Sequence, residues 1–220
     1  MKKEVFIARL QKSKFCSHIT LRRGFIKWYN KIMILSKPSF NEAKATGLAA
    51  YLLEMAGGTM NYMKLIKLMY LVDRVSLCEI GQFVTNDDMF SLHNGPLLSN
   101  VDDLITEPSR QKTVWGKHIT APSNYEVSLT SANHKTVQSM LSDYEVEVAQ
   151  RIFQQYGKMD KWALVEHLHK VLPEWKDPGQ GHRSPISLDD IFADCGKSSE
   201  ERLTILRYLN EQAQAERFFQ

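Results

Sequence analysis

The sequence predicts a mainly α fold, a compact helical domain carrying a small β-hairpin insertion. Three observations predict it. Polar caps recur ahead of apolar stripes spaced at i, i+3, i+4 and i+7; glycines stand where those stripes stop; and between residues 82 and 135 the apolar period changes from helical to alternating. The 220 residues are 43% hydrophobic, 10% aromatic and 24% charged, close to globular averages, which excludes a largely disordered or collagenous chain. No apolar run approaches 18 residues, so nothing is expected to span a membrane, and a membrane is not among the expected partners.

Taken in order, Ser39-Phe40-Asn41-Glu42 reads as a capping box opening a helix near 40–56, which Gly57-Gly58 ends in a left-handed turn. Thr59 is placed to cap a second helix near 60–80, with Leu65, Leu68, Met69 and Val72 on one stripe and Gly81 as its stop. Ser142-x-x-Glu145 opens a third, carrying Leu141, Tyr144, Val148 and Ile152, with Gly157 behind it. Asp160 caps a fourth that runs to about Val171, since Pro173 forbids continuation. Ser187 begins a short fifth that ends at Gly196, and Ser198-x-x-Glu201 begins the last. The hairpin is expected from 114–119 paired with the alternation of Tyr125, Val127 and Leu129 across a Pro122-Ser123-Asn124 turn; Met89, Phe90 and Leu92 lead into a second turn, Asn94-Gly95-Pro96.

The net charge of +3 hides an asymmetry. Residues 1–32 hold nine basic residues against the single acid Glu4, a net of +8, and the remainder nets −5. The expected domains are a basic N-terminal arm, 1–32, and a body, 33–220. Such an arm suits nucleic acid, a membrane surface or targeting, or is upstream sequence if translation starts at Met33. Cys16, Cys78 and Cys195 are too few and too scattered for a disulfide framework or a four-cysteine zinc site, and they point to a reducing compartment, the cytoplasm. Cys78 and Cys195 are expected as free thiols packed like small hydrophobes.

Catalytic groupings are not legible. The chain has no Gly-x-Ser-x-Gly elbow, Walker pattern or Gly-x-Gly-x-x-Gly after a strand, so no enzyme, catalytic residue or cofactor is expected. His167 and His169 lie two apart on a helix, point about 200° apart, and with His182 do not form an expected metal site. Helix, Gly57-Gly58-Thr59, helix has the outline of a DNA-binding helix-turn-helix, with Asn61, Lys64, Lys67 and Arg74 on the second helix. In a body of net −5 those cations read as solvated helix charges, and DNA is not the expected partner.

One set of motifs is more specific. Lys67-Leu68-Met69-Tyr70-Leu71-Val72-Asp73-Arg74, then Gly81, then Met89-Phe90-Ser91-Leu92-His93-Asn94-Gly95-Pro96-Leu97-Leu98-Ser99 resembles the signature of the Panacea domain, the SocA-like antitoxin family of toxin–antitoxin systems. Leu172-Pro173-Glu174-Trp175-Lys176-Asp177-Pro178, Pro185-Ile186-Ser187, Asp190-Ile191 and Gly196-Lys197-Ser198 extend the resemblance to about 42–212. Val72 stands where alanine is common, Leu97 where valine is common, and the arm has no counterpart. The resemblance implies a protein-binding antitoxin that neutralises a cognate toxin encoded by an adjacent gene. Its alternatives are a DNA-binding autorepressor and an adaptor that delivers its partner to a protease. The partner-binding candidates that follow are Asp73, Arg74, His93, Asn94, Gly95, Pro96 and Trp175. Asn94-Gly95-Pro96 is a turn with little entropy to lose on binding, or one that docks a loop onto the second helix. Asp73 and Arg74 pair with that turn or with a partner, or form a solvated or structural ion pair. Trp175 is either a plug at the core edge or an interface anchor.

Overall fold

Helix α1, Glu42–Met55, starts one residue after Asn41, whose side chain accepts from Lys44 N. This corrects the capping box expected at Ser39. The Glu42 carboxylate is taken by a distant donor, Trp115 N, at 3.0 Å, and so does not turn back onto its own helix start. The computed structural model describes residues 37–107, 114–130 and 135–218, all within one compact unit. The basic arm, with Cys16 and Met33, lies outside them.

After α1 the chain turns through Gly57 and Gly58, both at positive φ, into strand β1, Thr59–Asn61. Thr59 is therefore a strand residue, and Asn61 caps helix α2, Tyr62–Ile80, which stops at the left-handed Gly81 as expected. Leu65, Leu68, Met69, Val72 and Leu77 of α2 are fully buried. A loop leads to a β-hairpin, β2, Met89–Leu92, and β3, Gly95–Leu98, in which Leu92 faces Gly95 across the His93-Asn94 corner. Helix α3, Ser99–Thr106, has no capping side chain of its own. The buried Asp87 serves instead, accepting from Asn100 N and Val101 N at 2.8 and 2.9 Å.

The hairpin expected at 114–119 is corrected. Val114–His118 is a short helix, α4: a strand there would put Lys117 on the same face as Trp115 and Ile119, whereas the helical turn brings Trp115 and Ile119, i and i+4, into the core, with α4 against α1, and leaves Lys117 exposed. The alternating partner survives as strand β4, Glu126–Ser128, but pairs antiparallel with β1, Met60 opposite Val127. Ile119 and Leu129 keep one isolated bridge of the expected pairing. Helix α5, Lys135–Gln138, lies so close on α1 that a Cβ at Gly47 would come within 2.6 Å of the Val137 carbonyl.

From residue 142 onward the capping signals hold. Helix α6, Asp143–Tyr156, has the full Ser142/Glu145 box; α7, Lys161–Val171, is capped by Asp160; α8, Leu188–Asp194, by Ser187; and α9, Ser199–Phe218, follows a reciprocal Ser198/Glu201 pair. Strand β5, Arg183–Pro185, adds to the free edge of β2, giving the antiparallel order β3-β2-β5. Helix α2 runs through the centre, packed on α6 and α1 on one side and on β3 on another. The described fold is thus mainly α with two small antiparallel sheets, and no described helix is long and apolar enough to cross a membrane.

The cysteines require a further correction, which also removes their use as a sign of a reducing compartment. Cys78 near the end of α2 and Cys195 capping α8 are joined as a disulfide, their Cα atoms 5.7 Å apart, within the span such bridges require. The 117-residue separation hid the pairing, which depends on α8 folding back onto α2.

Candidate functional site

Lys67, Tyr70 and Arg74 recur at i, i+3 and i+7 along α2 and so share one stripe. Tyr70 and Arg74 both reach Glu174, and Lys67 reaches the hairpin. The Glu174 side chain, fully covered, accepts from Tyr70 OH at 2.8 Å and, in a two-pronged pair, from Arg74 Nε at 2.6 Å and Nη2 at 3.2 Å. Arg74 Nη2 also meets Asp194 at 2.5 Å. Burial alone would lower the Arg74 guanidinium; its bonds to Glu174 and Asp194 hold it above its ordinary value instead. Burial, together with Glu174, pushes the Tyr70 phenol well up.

Asp73 is completely buried and points the other way. It accepts from Val84 N at 2.6 Å, from Thr85 N at 2.9 Å and from the Thr85 hydroxyl, and so ties the loop after α2 to the helix. Burial raises its carboxyl to about 6 against the pull of those three donors.

The segment 172–178, fastened by Glu174, brings Trp175 under the hairpin. Its indole N–H donates to Leu92 O at 2.9 Å and its ring stacks on His169 at 3.7 Å with the planes 6° apart. Asp177 meets His93 Nδ1 at 3.1 Å, an exposed contact at the hairpin corner. The structure therefore gathers His93, Asn94, Gly95, Pro96 and Trp175 in one place. Arg74 reaches that place through Glu174, while Asp73 does not join it. His93 and Asn94 are exposed; Gly95 and Pro96 are buried beneath them.

Gly95 matters twice. Its φ of 101° is one that a side chain rarely adopts, and a Cβ there would lie 3.2 Å from both Cε and Nζ of Lys67. Lys67 itself is 3% exposed, which corrects its reading as a solvated helix charge. Among the described residues its ammonium has one hydrogen bond, a long one of 3.4 Å to Pro96 O. His169 Nε2, also buried against Gly95, has no hydrogen-bond partner among them. Burial lowers Lys67 to about 8, opposed by Asp102, and lowers His169, helped by the charge of Lys67.

Sequence reasoning missed Lys67 and Glu174 as site residues. The i, i+3, i+7 recurrence of Lys, Tyr and Arg was the available signal for the first; nothing local marks the second. The other residues weighed for DNA contact are engaged within the chain. Lys64 Nζ donates to Gly157 O at 2.7 Å, and Asn61 caps its helix. Among the described residues no group of three His, Cys, Asp or Glu is gathered that could hold a metal ion.

Lys67 also floors a groove of about 490 Å³ beside the hairpin corner, walled by Met63, Leu92 and Leu97 and edged by Tyr62, Tyr125 and Trp162. Keeping an ammonium there is costly. The folded chain releases the Lys67 proton near pH 8 and the unfolded chain near 10.5, so between those values the unfolded state binds more protons and stability rises with pH. Below pH 8 the full cost, about 3 kcal/mol, is present. Lys67→Met, apolar and of similar length, is expected to raise unfolding stability by roughly 1–3 kcal/mol at pH 7 and by progressively less towards pH 10. Urea unfolding of both chains at the two pH values checks this.

A protein-family model described as "Antitoxin SocA-like, Panacea domain" matches residues 65–176. That span takes in α2 from Leu65 onward, the hairpin and Glu174 to Lys176; the motif pieces at 185–198 lie beyond it. No curated protein and no solved structure matches the chain.

Proposed function

The chain belongs to the SocA-like antitoxins of the Panacea domain, and from that premise we propose that it neutralises one cognate toxin, the product of an adjacent gene, by direct stoichiometric binding, without chemistry of its own. The contact surface is centred on the His93-Asn94 corner. One observation carries the placement: the corner is exposed, yet everything under it is fixed. Gly95 and Pro96 are buried against Lys67, Trp175 holds Leu92 O, and Asp177 holds His93. A corner fixed in this way loses little entropy on binding, so contacts made there convert efficiently into affinity. Arg74 and Trp175 act from beneath, holding the 172–178 segment that supports it, while Asp73 fixes the 84–85 loop that leads towards the hairpin.

A stable complex of this kind buries roughly 1,200–2,000 Å² with a few central anchors. Co-expression with the adjacent gene product should give co-purification at one to one and rescue of growth. Asn94→Arg, which adds bulk at an exposed position, should weaken the complex about tenfold or more with an unchanged circular dichroism spectrum. If the wild-type chain neither co-purifies nor rescues, the antitoxin function is wrong. If the wild type does both and Asn94→Arg matches it, the interface lies elsewhere.

A further inference from the structure

We propose that the groove beside the hairpin corner receives a carboxylate of the partner protein, an Asp or Glu side chain next to a bulky apolar residue, with the Lys67 ammonium as its counter-ion. The partner's identity as a toxin rests on the function proposed above; the chemistry of the groove does not.

Three observations converge. First, Lys67, 3% exposed, lines the groove, and among the described residues its ammonium, with three donors, has one long hydrogen-bond acceptor; Asp102 acts on it through space without a hydrogen bond and does not line the groove. A buried cation so poorly paired is the complement of an anion brought from outside. Second, the charged residues that line the groove are Lys67 and Lys161, and no described acid lines it. Third, the walls and rim are apolar and aromatic. Trp162 is 54% and Tyr125 69% exposed, and Tyr125 is held at a φ of 64°, a backbone state costly for a bulky side chain. An aromatic displayed on a strained turn, lining the same apolar groove as a second exposed aromatic, suits a large apolar side chain of a partner.

A carboxylate fits better than a phosphate. Charge alone does not choose, since Lys67 and Lys161 both line the groove, but Met63, Leu92 and Leu97 offer no side-chain donors to the several oxygens of a phosphate, whereas a carboxylate has two oxygens to satisfy and a smaller charge to strip of water. The methylenes of a glutamate can pass those apolar walls while its carboxylate reaches Lys67, and the Asn94 amide stands at the mouth.

The test has two arms. In the first, the isotope-labelled full chain is titrated with 3-phenylpropionate and with its neutral amide, following the amide signals of Gly95 and Leu97 and the Trp162 indole by NMR. Saturable shifts with the acid, weaker shifts with the amide, and loss of the difference in Lys67→Met are expected. No shift with the acid at about 10 mM, or equal shifts with acid and amide, overturns the proposal. In the second arm the adjacent gene product is tested against Lys67→Met and against Trp162→Ala, an exposed change that leaves the core alone. Each should weaken the complex about 10- to 100-fold. A complex unaffected by both variants overturns the groove while leaving the antitoxin function standing. Acid-specific fragment binding to a chain that captures no toxin does the reverse. If the free chain dimerises through the groove and Lys67→Met returns a monomer, the occupant is a second copy and the proposal fails.

Discussion

Glu174→Ala is expected to destabilise the fold by about 3–5 kcal/mol, the range for leaving a buried charge without its partner. Two groups lose their acceptor together. Arg74 keeps Asp194 at its exposed end, but its Nε and the Tyr70 hydroxyl face a covered space with nothing to receive them. The 172–178 segment also loses its fastening, so Trp175 should leave His169 and Leu92 O, and its fluorescence should shift to the red. Glu174→Gln retains an acceptor oxygen and the volume, and should cost roughly half as much. Denaturant unfolding with tryptophan emission measures both. A Glu174→Ala protein as stable as wild type would mean that the 172–178 segment stays on α2 by apolar contact alone.

Asp73→Ala should have a comparable effect, about 3–5 kcal/mol, through a different mechanism. The alanine leaves Val84 N, Thr85 N and the Thr85 hydroxyl buried and unpaired, each costing about 1–3 kcal/mol. The damage should spread along the loop, because Thr85 O accepts from Asn41 N at the start of α1 and the Thr85 hydroxyl accepts from Asp87 N, whose carboxylate caps α3. Hydrogen exchange should accelerate at Asn41, Val84, Thr85, Asn100 and Val101 before it does in α6 or α7. Uniform acceleration across all helices would show that the loop and the core open as one unit.

These two acids show what a sequence displays and what it hides. Ser142/Glu145, Asp160, Ser198/Glu201 and Gly81 act within a few residues of themselves, and each is found where its local pattern places it. Ser39/Glu42 has the same local pattern, yet Glu42 serves Trp115, 73 residues away, and the helix takes Asn41 as its cap. The alternation at 126–128 announces a strand but not its partner, because β1 and the 114–119 segment lie equally within reach of it. At the site, the Asp73-Arg74, His93 to Pro96 and Trp175 motifs are legible as motifs. Their division of labour is not: Lys67 gives a helix charge by its type and a buried amine by its place on α2 against Gly95. Asp73 and Arg74 are adjacent in sequence, and the 100° turn between them sends one into the 84–85 loop and the other to Glu174.

The bond between Cys78 and Cys195 changes how the chain bears tension. Pulled from its two ends, a polypeptide normally carries force through every residue in turn. Here the load entering at the C-terminal side reaches Cys195, crosses to Cys78 and leaves along α2. Residues 79–194, which include the hairpin, Asp87 and Glu174, hang from that crossing as a slack loop outside the load path. An unfolding motor that grips α9 would strip that helix first and then meet two strands of chain side by side. The part of the molecule that carries the His93-Asn94 corner would be the last to feel the pull while the bridge is intact.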